Sequence, residues 1–192
     1  VSSLDWIGTS MGGIIGMVLA SQPQTPIRKL VLNDIGPLVP HDALVGIGQY
    51  IGRAPRFDSL KLGEAYLREV HEAFGPLSDE DWKHMAEHSL RMTSDGKYTM
   101  KSDPRIGDAF RKSIPYSDVD MWHIWDQIEC PVLVLRGERS NFLTAEIAEQ
   151  MRSRGPGAEI VEIPGVGHTP GLRNAEQIGL IREWLADPDP ND

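Results

Sequence analysis

Two short segments, far apart in the chain, carry residues that could act together as a nucleophile and a base. Around Ser10 the sequence has the form G-x-S-x-G, with Gly8 and Gly12 on either side. An apolar strand pattern precedes this serine and an apolar helix pattern follows it. Ser10 should therefore lie on a sharp strand-to-helix turn, with its hydroxyl exposed at the positive end of the helix. We expect the two glycines to leave room for the chain to pass closely, and we interpret Ser10 as a candidate nucleophile.

The second segment presents a histidine. His168 lies in a glycine-bracketed loop, residues 164–170, directly after a late strand pattern over residues 159–163. Loops at the carboxyl ends of parallel strands meet at one edge of a sheet, so this imidazole could reach the hydroxyl of Ser10. A serine needs a base within hydrogen-bond reach to act as a nucleophile. The other histidines fall in loop or helical patterns, and we expect His168 to be the base.

The serine turn, the late G-x-G-H loop and the order nucleophile, acid, histidine resemble the α/β-hydrolase family over most of the chain. The resemblance implies an α/β fold with a parallel sheet flanked by helices. Within it, residues 30–37 and 130–141 look like the sixth and seventh strands of that family with the loops that follow them. It also implies that the backbone N–H of Met11 is one donor of an oxyanion hole.

The acid that should orient His168 has more than one candidate. The resemblance implies an aspartate just after the seventh strand, where this chain has Asn141. An amide cannot stabilise an imidazolium by charge, so an impaired site is one interpretation. Asp34, at the end of the sixth strand, is another, because some members of the family keep the acid there. It could equally be a carboxylate that caps backbone N–H groups of its own turn, residues 33–37. Glu138 is a further candidate.

The pattern along the chain predicts one insertion into an α/β core. Residues 1–36 and 128–186 alternate short apolar strands with helices, which is typical of a parallel sheet covered on both faces. Residues 37–127 form a run of helical patterns instead, and they resemble the cap that lies over the nucleophile in this family. Residues 187–192 are acidic and rich in proline, which predicts a disordered tail.

Local signals place the elements of the insertion. Asp42 and Asp58 are positioned to cap its first two helices. Ser78–Asp81 match a capping box for a helix that should extend from Trp82 to Met92. Asp95–Gly96 predict a tight turn.

In this family about four strands and a loop with a second oxyanion donor precede the serine turn. We therefore expect the chain to be the carboxyl-terminal portion of a longer protein. The strand at residues 4–7 would then have an open edge, which a missing amino-terminal segment or a second copy would cover. Loss of one oxyanion donor typically costs about a hundred- to a thousandfold in rate, so the fragment alone should be a poor catalyst.

Composition limits the partners. Of the 192 residues, 40% are hydrophobic and 24% are charged, as in an ordinary globular domain, and the net charge of −9 argues against a nucleic-acid partner. The longest apolar stretch, residues 11–20, is too short to cross a bilayer, and we expect a cytoplasmic protein without a membrane partner. The single cysteine, Cys130, cannot form an internal disulfide and is expected to be buried and unreactive.

The sequence thus predicts a hydrolase in which Ser10 attacks an ester-type carbonyl of a small-molecule substrate. This chemistry needs no metal and no organic cofactor. His84 and His88, four residues apart on a predicted helix, lack a third ligand at a suitable spacing, so we interpret them as a solvated helix face. The alternative is a catalytically inactive fragment or pseudoenzyme that acts as a binding or assembly module, which Asn141 and the missing front half favour.

Overall fold

The computed structural model describes residues 2–187. Of the predicted tail, only Asp187 is among them, and residues 188–192 lie outside the described part. In chain order the elements are β1 (Leu4–Thr9), α1 (Met11–Ala20), β2 (Ile27–Asn33), β3 (Leu38–Val39), α2 (His41–Gly48), α3 (Leu60–Val70), a 3₁₀ helix (Glu72–Phe74), α4 (Asp79–Ser89), β4 (Leu90–Met92), β5 (Tyr98–Met100), α5 (Arg105–Ser113), β6 (Val119–Asp120), α6 (Trp122–Trp125), β7 (Val132–Gly137), α7 (Ala145–Ser153), β8 (Glu159–Ile163) and α8 (Ala175–Ala186).

The chain divides into two compact units. One contains the chain up to Pro40 and from Asp118 onward, and the other contains residues 41–117. This second unit is shorter at both ends than the insertion predicted over residues 37–127. The reason is that β3 and β6 pair with each other as a short antiparallel ladder and belong to the first unit.

The first unit is built on a four-stranded sheet in the order β1-β2-β7-β8, and every neighbouring pair is parallel. The two central strands each contain an apolar run, residues 30–32 of β2 and 132–135 of β7. Within these runs, Val31, Leu133 and Leu135 are fully buried in one cluster with Ile181 of α8. Strands of this kind are covered on both faces, as the alternation of strands and helices predicts. Because all four strands are parallel, the segments that follow them begin at one edge of the sheet.

Strand β1 lies at the margin of this sheet. Among residues 2–187 it pairs with β2 alone. Apolar side chains near this margin are partly exposed, with Ile7 of β1 50% exposed and Ile15 and Leu19 of α1 45% and 42% exposed. The described part of the chain thus leaves one side of β1 without a strand neighbour.

The second unit has its own core, which includes Leu67, Trp82, Ala86 and Leu90. It is less helical than predicted, because α4 ends at Ser89 and the next three residues form a hairpin with β5. The hairpin turns at Gly96, whose φ of +80° suits glycine. The predicted turn is present, but the predicted helix extension to Met92 is wrong.

The capping predictions have mixed outcomes. The capping box is present, since the Ser78 hydroxyl accepts from the Asp81 N–H and the Asp81 carboxylate accepts from the Ser78 N–H. Asp58 does not cap α3. Ser59 does so, by accepting from the N–H of Leu62, while Asp58 pairs with a lysine at 2.8 Å. Asp42 lies inside the first turn of α2 instead of before it.

Cys130 is only half-buried, although the strand-start pattern predicts a buried side chain. None of the helices within residues 2–187 combines the length and the apolar character that a bilayer span requires.

Candidate active site

The turn after β1 holds Ser10 in a backbone conformation that serine rarely adopts. Its φ is 50° and its ψ is −118°, and it is the N-cap of α1. A non-glycine residue in such a region costs on the order of 1–3 kcal/mol, which the surrounding structure must offset. The hydrogen bond from the Ser10 N–H to the carbonyl of Asn33, at 3.1 Å, is one contact that fixes this turn.

The glycines around Ser10 do not have equal importance. A Cβ at Gly8 would lie 2.4 Å from the carbonyl oxygen of Gly12, which is backbone and cannot move aside cheaply. A Cβ at Gly12 would meet nothing within 4 Å, so the expectation that Gly12 leaves room for a passing chain is wrong. The position that has no room for a side chain is Gly13 instead. A Cβ there would lie 2.3 Å from the Ile35 side chain and 3.0 Å from the Gly8 carbonyl oxygen.

The structure brings Ser10, His168 and Asp34 into one hydrogen-bond chain. The Nε2 of His168 lies 3.0 Å from the Ser10 hydroxyl, and its Nδ1 lies 2.7 Å from Oδ2 of Asp34. A proton on Nδ1 would be donated to the carboxylate, which leaves Nε2 free to accept the proton of the hydroxyl. This is the arrangement of a nucleophile, a base and an acid that orients the base.

Asp34 is completely buried, and three groups hydrogen-bond to its carboxylate. The N–H of Gly137 donates to Oδ1 at 2.7 Å, the hydroxyl of Ser140 donates to Oδ2 at 2.6 Å, and His168 approaches the same Oδ2. A buried carboxylate is tolerated when such donors surround it. The backbone group that it caps belongs to the end of β7 and not to its own turn, so the predicted local cap over residues 33–37 is wrong.

The loop after β7 is folded around this carboxylate. The Ser140 hydroxyl donates to Asp34 and also accepts from the N–H groups of Phe142 and Leu143, each at 3.1 Å. The ring of Phe142 then stacks on His168, with centroids 3.9 Å apart and planes 19° apart. No sequence motif marks Ser140 or Phe142. Their position just after a predicted strand end was the available signal.

The other two acid candidates lie elsewhere. Asn141 is exposed, and within residues 2–187 it makes no hydrogen bond with His168. Glu138 accepts from the N–H of Gly165 at 2.7 Å, so its carboxylate holds the loop that leads to the histidine. Of the acid candidates, the structure thus brings only Asp34 to the imidazole.

The predicted oxyanion donor follows the serine directly. Met11 is the first residue of α1, and its N–H has no carbonyl within the helix to which it could donate. A role for this N–H stays a prediction. His84 and His88 are both exposed, as expected for a solvated helix face. The rings of His84 and His88 stack on each other at 4.0 Å, and the described residues contain no group of three side chains that could hold a metal ion.

A sequence model of the alpha/beta hydrolase family matches residues 2–178. The chain belongs to this family. Among the relatives of this alpha/beta hydrolase is the 3-hydroxybutyrate-oligomer hydrolase of Cupriavidus necator. It is 39% identical over an alignment that covers 96% of this chain and 66% of the relative. The predicted fold class, a parallel sheet flanked by helices, is confirmed.

Solved structures agree with this assignment. A protein of Rickettsia typhi superposes on this chain with a TM-score of 0.88 and 36% identity. The match covers 96% of this chain and 62% of the Rickettsia protein. An alpha/beta hydrolase from Novosphingobium aromaticivorans gives a TM-score of 0.83 and 35% identity, over 96% and 66%. The chain therefore spans slightly less than two thirds of the length of the relatives that it matches.

Proposed function

We propose that this alpha/beta hydrolase cleaves carboxylic esters with Ser10 as its nucleophile. The observation that carries the proposal is the unbroken hydrogen-bond chain from the Ser10 hydroxyl through His168 to the buried Asp34. A serine becomes a nucleophile only when a base lies within reach, and the base works only in the correct tautomer. Both requirements have a matching contact here.

The reaction proceeds in two halves. In the first, the Ser10 oxygen attacks the ester carbonyl while Nε2 of His168 takes the hydroxyl proton. The imidazolium then gives that proton to the leaving alcohol, and an acyl ester remains on the serine. In the second half, His168 takes a proton from water, the resulting hydroxide equivalent attacks the acyl carbon, and the proton returns to the serine oxygen as the acid leaves.

Asp34 stabilises the imidazolium formed in both halves, and the Met11 N–H supplies one donor to the oxyanion. The amide at position 141 is one of the two features that favour the pseudoenzyme alternative, beside the missing front half. The carboxylate that lies 2.7 Å from Nδ1 comes from Asp34, so that amide does not deprive His168 of a charged partner. The contacts therefore favour an active site over a silent one.

For the substrate, the relationship to a 3-hydroxybutyrate-oligomer hydrolase suggests short oligoesters of a 3-hydroxy acid. Such a substrate carries the ester carbonyl that the proposed serine attacks. In this proposal, the unit of residues 41–117 is the cap of the enzyme and contributes to its choice of substrate.

Labelling with a fluorophosphonate probe tests the nucleophile. In the natural full-length protein, we expect labelling that is lost in Ser10→Ala and retained in Ser113→Ala, a control serine at the end of α5. Release of acid from a trimer of 3-hydroxybutyrate, followed by titration, should show the same pattern. Equal labelling of wild type and Ser10→Ala would overturn the assignment of the nucleophile. Labelling without cleavage of the trimer would overturn only the proposed identity of the substrate.

A further inference from the structure

Asn33, the last residue of β2, contacts the segments of all three proposed catalytic residues. Its side chain is buried, with 1% exposure. Its carbonyl accepts from the N–H of Ser10 at 3.1 Å, and it is bonded covalently to Asp34. Its side-chain Nδ2 donates to the carbonyl of Pro170, two residues after His168, at 2.9 Å. A second donation reaches the hydroxyl of Thr9, at 3.1 Å.

The orientation of this amide follows from its partners. The carbonyl of Pro170 can only accept, so the group that faces it must be the NH₂. The opposite atom, Oδ1, is buried and has no hydrogen-bond partner among the described residues. An unpaired buried acceptor is unfavourable for stability, and an apolar side chain of similar size would avoid it. A residue retained only for stability would not be expected to leave this oxygen unpaired.

We propose that Asn33 is a positioning residue that sets the distance between the serine turn and the histidine loop. Its amide joins the end of β1 to the backbone just beyond His168, while its own backbone leads into the acid. The three proposed catalytic groups come from three separate segments, and this side chain fixes two of them relative to the third. The inference depends on the proposed function, because a misplaced imidazole matters only if it serves as the base.

The test is to replace the amide by an apolar group with the same number of non-hydrogen atoms, as in Asn33→Leu. A misplacement of about 1 Å can reduce turnover by about a hundredfold. We expect kcat for ester cleavage to fall by about that factor while KM stays within about threefold. The fluorophosphonate labelling rate should fall in parallel. Asn33→Ala, which cannot clash with its surroundings, provides the same measurements if the leucine variant does not fold.

A spectroscopic measurement separates positioning from a purely structural role. The proton between Nδ1 of His168 and Asp34 should give a low-field ¹H NMR signal in the wild type, and we expect it to shift or disappear in the Asn33 variants. Because this signal does not require turnover, it reports on positioning even if the enzyme proves inactive on esters. In that case the proposed function would fail and the positioning role would still be measured.

Thr99→Val is the matched control. Thr99 is also buried and donates to a proline carbonyl, that of Pro55, at 3.0 Å, but it belongs to the unit of residues 41–117. Loss of this hydrogen bond should lower the unfolding midpoint without changing the low-field signal. Asn33 variants that keep both kcat within about threefold of wild type and an unchanged low-field signal would overturn the proposal.

Discussion

The carboxylate of Asp34 lies 2.7 Å from Nδ1 of His168, although Asp34 follows β2 and not β7. These two strands are neighbours in the sheet, with Asn33 opposite Leu135 in the ladder. A carboxylate at the end of either strand therefore starts within reach of the same imidazole. The N–H of Gly137 and the hydroxyl of Ser140, both from the β7 side, complete the surroundings of the Asp34 carboxylate.

Substitutions at two of the three acid candidates, Asp34 and Asn141, should affect turnover very differently. In Asp34→Asn the histidine loses the charge that stabilises its protonated form, and we expect kcat to fall by about ten-thousandfold, the effect of the same change in serine proteases. In Asn141→Asp we expect kcat within about threefold of wild type, since residue 141 is exposed and not bonded to His168. Steady-state ester hydrolysis measures both. A large loss in Asn141→Asp together with a mild one in Asp34→Asn would assign the acid to the β7 loop.

Ser140→Ala should weaken the support of the acid. The change removes a hydrogen bond to a buried carboxylate and leaves the N–H groups of Phe142 and Leu143 without their acceptor. Each buried group left unpaired costs about 1–3 kcal/mol, so we expect the free energy of unfolding in urea to fall by roughly 2 kcal/mol or more. Ser153→Ala, on the exposed end of α7, is the control and should change it by less than about 0.5 kcal/mol. No difference between the two variants would contradict the role given to Ser140.

Alanine at the two glycines that flank the serine should separate their roles. Gly8→Ala places a Cβ 2.4 Å from a backbone carbonyl, and we expect a destabilised protein with little fluorophosphonate labelling. Gly12→Ala meets nothing within 4 Å and lies in α1, where alanine is favoured over glycine by about 0.5–1 kcal/mol. Thermal unfolding and labelling should therefore show an intact or slightly stabilised Gly12→Ala. Similar behaviour of the two variants would argue against the steric account of the turn.

Burial lowers the pKa of His71 below its usual value of about 6.5. The unfolded chain then binds this proton more readily than the folded chain, so the stability of the protein should fall as the pH drops below about 6.5. His71→Phe, which keeps an aromatic ring against Phe74, should flatten this decline in urea unfolding at pH 7 and pH 5. The same substitution at exposed His84 controls for an added aromatic ring. An undiminished decline in His71→Phe would exclude this histidine as the cause.

Much of the fold was predictable because it depends on local signals. The glycine-flanked serine between two apolar runs, and the short aliphatic strands that follow, predict the parallel sheet and the turn at Ser10. The β4–β5 hairpin was not predictable in the same way. Residues 90–92 continue the helical pattern of α4, and their pairing with residues 98–100 depends on packing against Trp82 and its neighbours.

The proposed acid could not be chosen from sequence positions alone. Asp34, Glu138 and Asn141 all lie just after the ends of two adjacent strands, so their sequence positions allow each of them near His168. What separates them is the direction of each side chain, which depends on the fold of the loop at residues 138–143. Ser140 and Phe142 form that loop through contacts that no sequence motif announces.

The sheet order also affects which parts of the chain can vary. Ser10 directly follows β1 and Asp34 directly follows β2, so one contiguous stretch of 25 residues contributes both the proposed nucleophile and the proposed acid. In the proposed mechanism, the loop after β7 supports the acid and takes no part in the chemistry. We therefore expect position 141 to tolerate substitution, whereas a change at position 34 would have to be matched by a new carboxylate on the neighbouring strand.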